Sequence, residues 1–190
     1  MCVCICSIAK SAPLGDYKKG FHLEAGFYQN HIKQYFSAPA GYERLLGSSS
    51  GYFRIRRTLP LGKKWGFEPS LGTRVPWKSG TDGNTKKFNS HLDFTFTYPL
   101  VSWVRIRLGP GIQWLVSTGD GGDVVLNNGT STSTFYTPGY VSHGFIVTVQ
   151  SGLSLLLGSR ISLNFEVYGT CLFHSSRRNY DAVATFGWRL

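Results

Sequence analysis

His174-Ser175-Ser176 sets an imidazole and a hydroxyl two residues apart, a spacing from which a base can activate a nucleophile. Such a pair also needs an acid to orient the histidine, and Asp181 is the nearest one in the sequence. The plainer reading is a polar entry into a loop. Cys2, Cys4 and Cys6 form a C-x-C-x-C run with no second ligand cluster, so zinc is not expected, and Cys171 stands apart. Asp120 and Asp123 lie among glycines but show no calcium-loop pattern. Asn128-Gly129-Thr130 is a glycosylation sequon only in a eukaryotic secretory setting. No phosphate-binding glycine loop is present, so no metal or cofactor is expected.

A second set with chemical capacity is a group of charges that, within each segment, fall on the parity opposite to its apolar residues. It comprises Glu24, Arg54, Arg56, Glu68, Arg74, His91, Asp93, Arg105, Arg107, Glu166, Asp181 and Arg189. Six arginines, five acids and one histidine make a nearly balanced group, although the chain carries 20 Lys and Arg against 10 Asp and Glu. The surplus falls in connections, at Lys18, Lys19, Lys33, Lys63, Lys64, Lys78, Lys86, Lys87, Arg160, Arg177 and Arg178. The basic residues do not gather on one helix or interleave with aromatics on one face, so nucleic acid is not an expected partner. Lipid phosphates or other anionic groups are.

What must position the balanced charges is a series of strands with period two. The segments run from Phe21 to Phe27, Tyr52 to Arg56, Trp65 to Trp77, Phe88 to Tyr98, Val104 to Val116, Phe145 to Leu155, Ile161 to Phe173 and Tyr180 to Leu190. Most are longer than the usual strand of about 5–6 residues and match the ~9–11 that a tilted strand needs to cross a bilayer. Connections alternate between short turns and long polar loops, the longest from Ser117 to Pro138. No apolar run is long enough for a spanning helix. The expected fold is all-β: an eight-stranded antiparallel up-and-down barrel over residues 20–190, preceded by a leader or lead-in over 1–19.

The two faces of these strands decide which way the barrel is turned. One face carries rings along its length, such as Trp65, Phe67 and Trp77, then Phe88, Phe94, Phe96 and Tyr98. An eight-stranded barrel has an interior only just wide enough for side chains. Rings inside would overfill it, so the expected arrangement has rings outside and small or charged residues within. Enclosed charges must pair, and folding about Gly62 is expected to set Arg56 across from Glu68, with Asp93 near Arg105 and Arg107. Arg57 falls on the apolar face, where it would snorkel or mark a bulge.

The last segment carries the resemblance. Tyr180, Ala182, Ala184, Phe186, Trp188 and Leu190 place apolar residues at every second position. This resembles the C-terminal β-signal of bacterial outer-membrane proteins, with Phe186, Trp188 and Leu190 as the assembly signal, although that family prefers a terminal Phe. With the strand pattern, the chain is similar to small barrels of the OmpA, OmpX and OmpW type. The resemblance implies the bacterial outer membrane, a monomer, and as partners outer-membrane lipid, lipopolysaccharide and the barrel assembly machinery. It also implies short turns facing inward, and two aromatic girdles. Trp65, Tyr98, Trp103 and Trp188 would form one girdle, and Trp77, Phe88, Trp114, Phe173 and Tyr180 the other.

Residues 1–9, MCVCICSIA, resemble the apolar core of a signal peptide. His174 and Ser176 resemble the motif of the lipid A 3-O-deacylases, also small barrels, although the surrounding residues do not match. The expected function is therefore a non-catalytic barrel with a filled lumen, serving envelope structure or surface-loop contacts. The alternatives are a lipid A-modifying enzyme and a narrow pore for small or hydrophobic solutes.

Overall fold

A computed structural model describes residues 20–30, 49–62, 64–78, 86–127, 132–136, 139–175 and 178–190. The Cys2–Cys6 run, the leader at 1–19, the Asn128-Gly129-Thr130 sequon and Ser176 lie outside the described residues. Every regular element described is a strand. The strands are β1 (Gly20–Gln29), β2 (Ser49–Leu61), β3 (Trp65–Lys78), β4 (Lys86–Val101) and β5 (Val104–Thr118). They continue with β6 (Asp123–Asn127), β7 (Thr132–Tyr136), β8 (Ser142–Leu157), β9 (Ile161–Thr170) and β10 (Asn179–Arg189).

Eight of these close an antiparallel barrel in the order β1-β10-β9-β8-β5-β4-β3-β2, and β6 and β7 form a separate two-stranded sheet. Each barrel strand pairs with its neighbour in sequence, once β6 and β7 are set aside, and β1 closes on β10 through eight register pairs, His22 to Arg189 through Gln29 to Ala182. Closure leaves no unpaired edge along that seam, which is how a barrel avoids the liability of open strands. The connection expected as loop from Ser117 to Pro138 instead contains the β6–β7 hairpin, in which Asp123 pairs with Tyr136 and Asn127 with Thr132. Its Val124, Val125, Thr134 and Phe135 are β-favouring residues, whose signal is diluted by the glycines and serines around them.

The turns follow from residues able to take positive φ. Gly62, at φ 71°, sits in the β2–β3 connection and Gly158, at φ 78°, in the β8–β9 connection; neither strains a residue without a Cβ. Alternation determines the two faces. Along β2, Tyr52, Arg54, Arg56 and Thr58 are buried while Phe53, Ile55 and Arg57 between them are exposed. The inversion expected from the sequence is present along the described strands, with three buried tyrosines as exceptions: exposed large apolar residues cover the barrel's exterior, and the rest of the buried set is almost wholly polar.

Small residues make room for large ones inside. A Cβ added at Gly72 would lie 1.9 Å from the Tyr52 hydroxyl, and one at Gly111 would lie 2.4 Å from Oδ1 of Asp93. Strand curvature and the narrow lumen leave no space there for a side chain.

Candidate functional site: the charged lumen

The lumen centre is a closed ring of six ion pairs in which cations and anions alternate. Arg54 of β2 contacts Glu24 of β1 and Glu166 of β9. Arg56 joins Glu24 at 2.7 Å to Glu68 of β3 at 2.9 Å. Arg107 of β5 joins Glu68 at 3.5 Å back to Glu166. Three guanidinium groups and three carboxylates sum to zero charge, and all six side chains are almost fully buried.

The members do not hold the ring equally. Arg54 donates through Nε to Glu24 at 2.7 Å and through Nη2 to Glu166 at 2.8 Å. Arg107 lies within ion-pair distance of two carboxylates, yet makes no directed hydrogen bond with its guanidinium nitrogens among the described residues. Hydroxyls supply further donors: Thr58 donates to Glu68 at 3.0 Å and Thr185 to Glu24 at 3.2 Å. Charge-assisted bonds of this kind are the strong ones. They also meet the condition under which buried charges are tolerated.

Toward the long loops, the ring gives way to aromatic and polar packing. Tyr28, Tyr52 and Tyr168 are buried against His91, whose ring centroid is 5.3, 6.0 and 4.8 Å from theirs. Tyr28 donates to Asp181 at 2.8 Å and Tyr168 to Asp93 at 2.9 Å. Arg74 lies over the Tyr28 ring at 5.0 Å. These tyrosines escaped the sequence reading, which treated aromatics as exterior residues. The signal was available, because Tyr28, Tyr52 and Tyr168 share the parity of Glu24, Arg54 and Glu166.

Ten of the twelve charges expected inside are buried there: Glu24, Arg54, Arg56, Glu68, Arg74, His91, Asp93, Arg107, Glu166 and Asp181. Arg105 and Arg189 are half-buried at the mouth on the short-turn side. The expected pairings need correction. Arg56 faces Ser70 in the register, because Leu61 pairs with Trp65 and moves the turn centre to position 63. Arg56 still reaches Glu68, now on the diagonal. Asp93 faces Gly111, not Arg105 or Arg107, and its hydrogen bonds come from Tyr168 and from Ser70 at 3.4 Å. Arg57 marks no bulge, since the β2–β3 register is the same on both sides of it. It is exposed on the exterior, with its guanidinium 5.5 Å from the Phe21 ring.

The exterior aromatics group at the two ends of the barrel. On the short-turn side, Trp65 packs on Tyr98 at 4.9 Å, and Trp65, Trp103 and Trp188 are exposed. On the loop side, Trp114 packs edge-on against Phe88 and stacks on Phe145, each at 6.3 Å, and Tyr180 is half-buried at the start of β10. The Trp77 side chain lies outside the described residues. Phe173 does not lie on the barrel wall: β9 ends at Thr170, and Phe173 stands in the following turn, 100 % exposed.

The same early end of β9 takes His174 off the barrel wall. Cys171 takes φ 50°, breaking the alternation that had pointed His174 inward; His174 is exposed in the turn. Asp181 is buried and accepts hydrogen bonds from Tyr28 and Asn179. Among the described residues, no group of three or more His, Cys, Asp and Glu has a metal-binding arrangement.

No family model matches the chain, and no curated protein matches it in sequence. Solved structures are similar to it. The attachment invasion locus protein Ail of Yersinia pestis, in complex with the heparin analogue sucrose octasulfate, has TM-score 0.52 and 10 % identity over 90 % of this chain and 99 % of its own. The outer membrane protein Ail in a phospholipid bilayer nanodisc has TM-score 0.49 and 12 % identity over 91 % of this chain and 100 % of its own. Neisserial surface protein A has TM-score 0.47 and 14 % identity over 90 % and 96 %. The likeness to Ail is one of fold: this chain has the closed eight-stranded barrel of small bacterial outer-membrane proteins.

Proposed function

We propose that the chain is an integral barrel of a bacterial outer membrane, monomeric and without catalytic activity, whose filled lumen makes it a structural or loop-presenting element of the envelope. The single observation that carries this is the inverted barrel: Phe53, Ile55, Leu71, Phe94, Phe96, Leu108 and Phe165 are exposed outside, around a buried ring of arginines and glutamates. In water such an exterior would be a large exposed apolar patch; in lipid it is the ordinary wall of a barrel. On this reading the short turns face the periplasm and the long loops the outside. Lipopolysaccharide and the assembly machinery are the partners this location supplies.

The alternating ring favours a plug over a pore. It joins β1, β2, β3, β5 and β9, so an ion crossing at this level would have to displace paired charges from one another. The test is conductance across a planar bilayer containing the purified protein. No steps above background are expected, and stable steps of uniform size would overturn the plugged-lumen reading. The deacylase-like reading rests on His174 and Ser176 alone. With His174 exposed and Asp181 engaged by Tyr28, no pairing among the described residues favours it.

A further inference from the structure

We infer that the short-turn end of the barrel is a docking surface for anionic phospholipid headgroups, with Arg57, Lys64 and Arg160 as its contact residues. This rests on the membrane reading above and adds a leaflet and a headgroup charge to it. The first observation is the placement of Arg57. On the exterior parity of the barrel strands, the charged residues among those described are Arg57 and the pair Lys78 and Lys86, and that pair lies at the loop end. Arg57 instead stands among apolar neighbours, between Ile55 and Leu59, over the Phe21 ring. A cation on the lipid face costs ~2–4 kcal/mol at mid-bilayer and ~0–1 near the interface. Arg57 must therefore reach the headgroups, and its pairing with Phe21, the second residue of β1, sets it toward the turn end.

The second observation concerns the surroundings of the β1–β10 seam at that end. Leu190 N donates to Phe21 O at 2.9 Å and Arg189 N to Arg160 O at 2.8 Å. The closing seam is thus flanked by Arg57 on one side and Arg160 on the other, with Lys64 in the neighbouring turn. All three are exposed.

The third observation concerns opposing charge among the described side chains. The described residues contain seven Asp and Glu; Glu24, Glu68, Asp93, Glu166 and Asp181 are buried in the lumen, and Asp120 and Asp123 lie at the loop end. No described carboxylate side chain is exposed at the turn end. Guanidinium groups recognise phosphate oxygens through paired hydrogen bonds, and the exposed Trp65, Trp103 and Trp188 hold the adjoining band at headgroup level. Zwitterionic lipid offers the same phosphate with a cation attached, so the cationic rim discriminates in favour of a net negative headgroup.

The test uses the full-length protein in nanodiscs of equal phosphatidylglycerol and phosphatidylcholine. Lipids that remain bound after release into detergent are counted by native mass spectrometry. The wild type is expected to retain phosphatidylglycerol about fivefold over phosphatidylcholine, the factor that roughly one basic group near anionic lipid supplies. The Arg57→Gln/Lys64→Gln/Arg160→Gln variant should fall to parity, whereas the loop-end variant Lys86→Gln/Arg178→Gln should keep the preference. Parity in the wild type, or a preference that survives the first variant, overturns the inference. So does a preference lost only in the second. Flotation with vesicles of phosphatidylcholine alone separates the two claims. A barrel that inserts there but shows no headgroup preference refutes the rim alone, and one that does not insert refutes the membrane reading and the rim with it.

Discussion

Arg54 and Arg107 occupy the same ring with unequal geometry, and their substitution should separate what each does. Arg54 is bonded in a directed way to Glu24 and Glu166. Removing it leaves two buried carboxylates short of a partner, a class of change that costs about 3–5 kcal/mol. Arg54→Met should therefore lower the midpoint of urea unfolding in lipid more than Arg107→Met does, because Arg107 holds its carboxylates without directed bonds. Equal losses would show that the charges act through summed field alone. At this scale the sequence was informative about membership and poor about partnership. Parity and charge balance placed ten of the twelve residues inside, since period two leaves a side chain only two choices of face. Pairing depends on register, and a two-residue shift at the Gly62 turn moved Ser70 opposite Arg56 and left Glu68 diagonal to it.

At the scale of elements, the strands were legible because outward-facing and lumen-facing residues differ so sharply. Their ends were not. β2 extends to Ser49 and Leu61, well beyond the Tyr52–Arg56 segment, because hydrogen bonding continues where the alternation has weakened. β9 stops at Thr170 because Cys171 turns to positive φ, which a run of apolar odd positions does not reveal. Two tests belong here. Leu71, on β3, is 60 % exposed. In water, replacing an exposed leucine with arginine changes stability by about 0.5 kcal/mol or less, whereas a lipid-facing site near mid-bilayer should lose ~2–4 kcal/mol. Leu71→Arg is expected to give the larger figure in urea titrations from vesicles. Among the described residues, the β6–β7 hairpin pairs with no barrel strand. Replacing residues 123–136 with a short Gly-Ser link should leave the barrel's unfolding midpoint unchanged. A marked drop would mean that the hairpin braces β5 and β8.

For the whole molecule, one distribution of residue types accounts both for a mean hydropathy near neutral and for the basic surplus. Apolar side chains outnumber polar ones on the outer wall, balanced charges and tyrosines fill the core, and among the described residues the exposed Lys64, Lys86, Arg160 and Arg178 lie at the ends. Averaged along the chain these cancel, which is why composition alone resembles that of a water-soluble protein. The fold does not depend on which molecule its loops meet. On the proposed reading it does depend on lipid outside. The most direct test is fractionation of bacteria expressing the full-length protein, followed by an alkaline wash of the outer-membrane fraction. The protein should stay with the membranes through the wash and leave them only in detergent, migrating as a folded monomer until heated. Recovery as a water-soluble monomer without detergent would contradict the account at its centre.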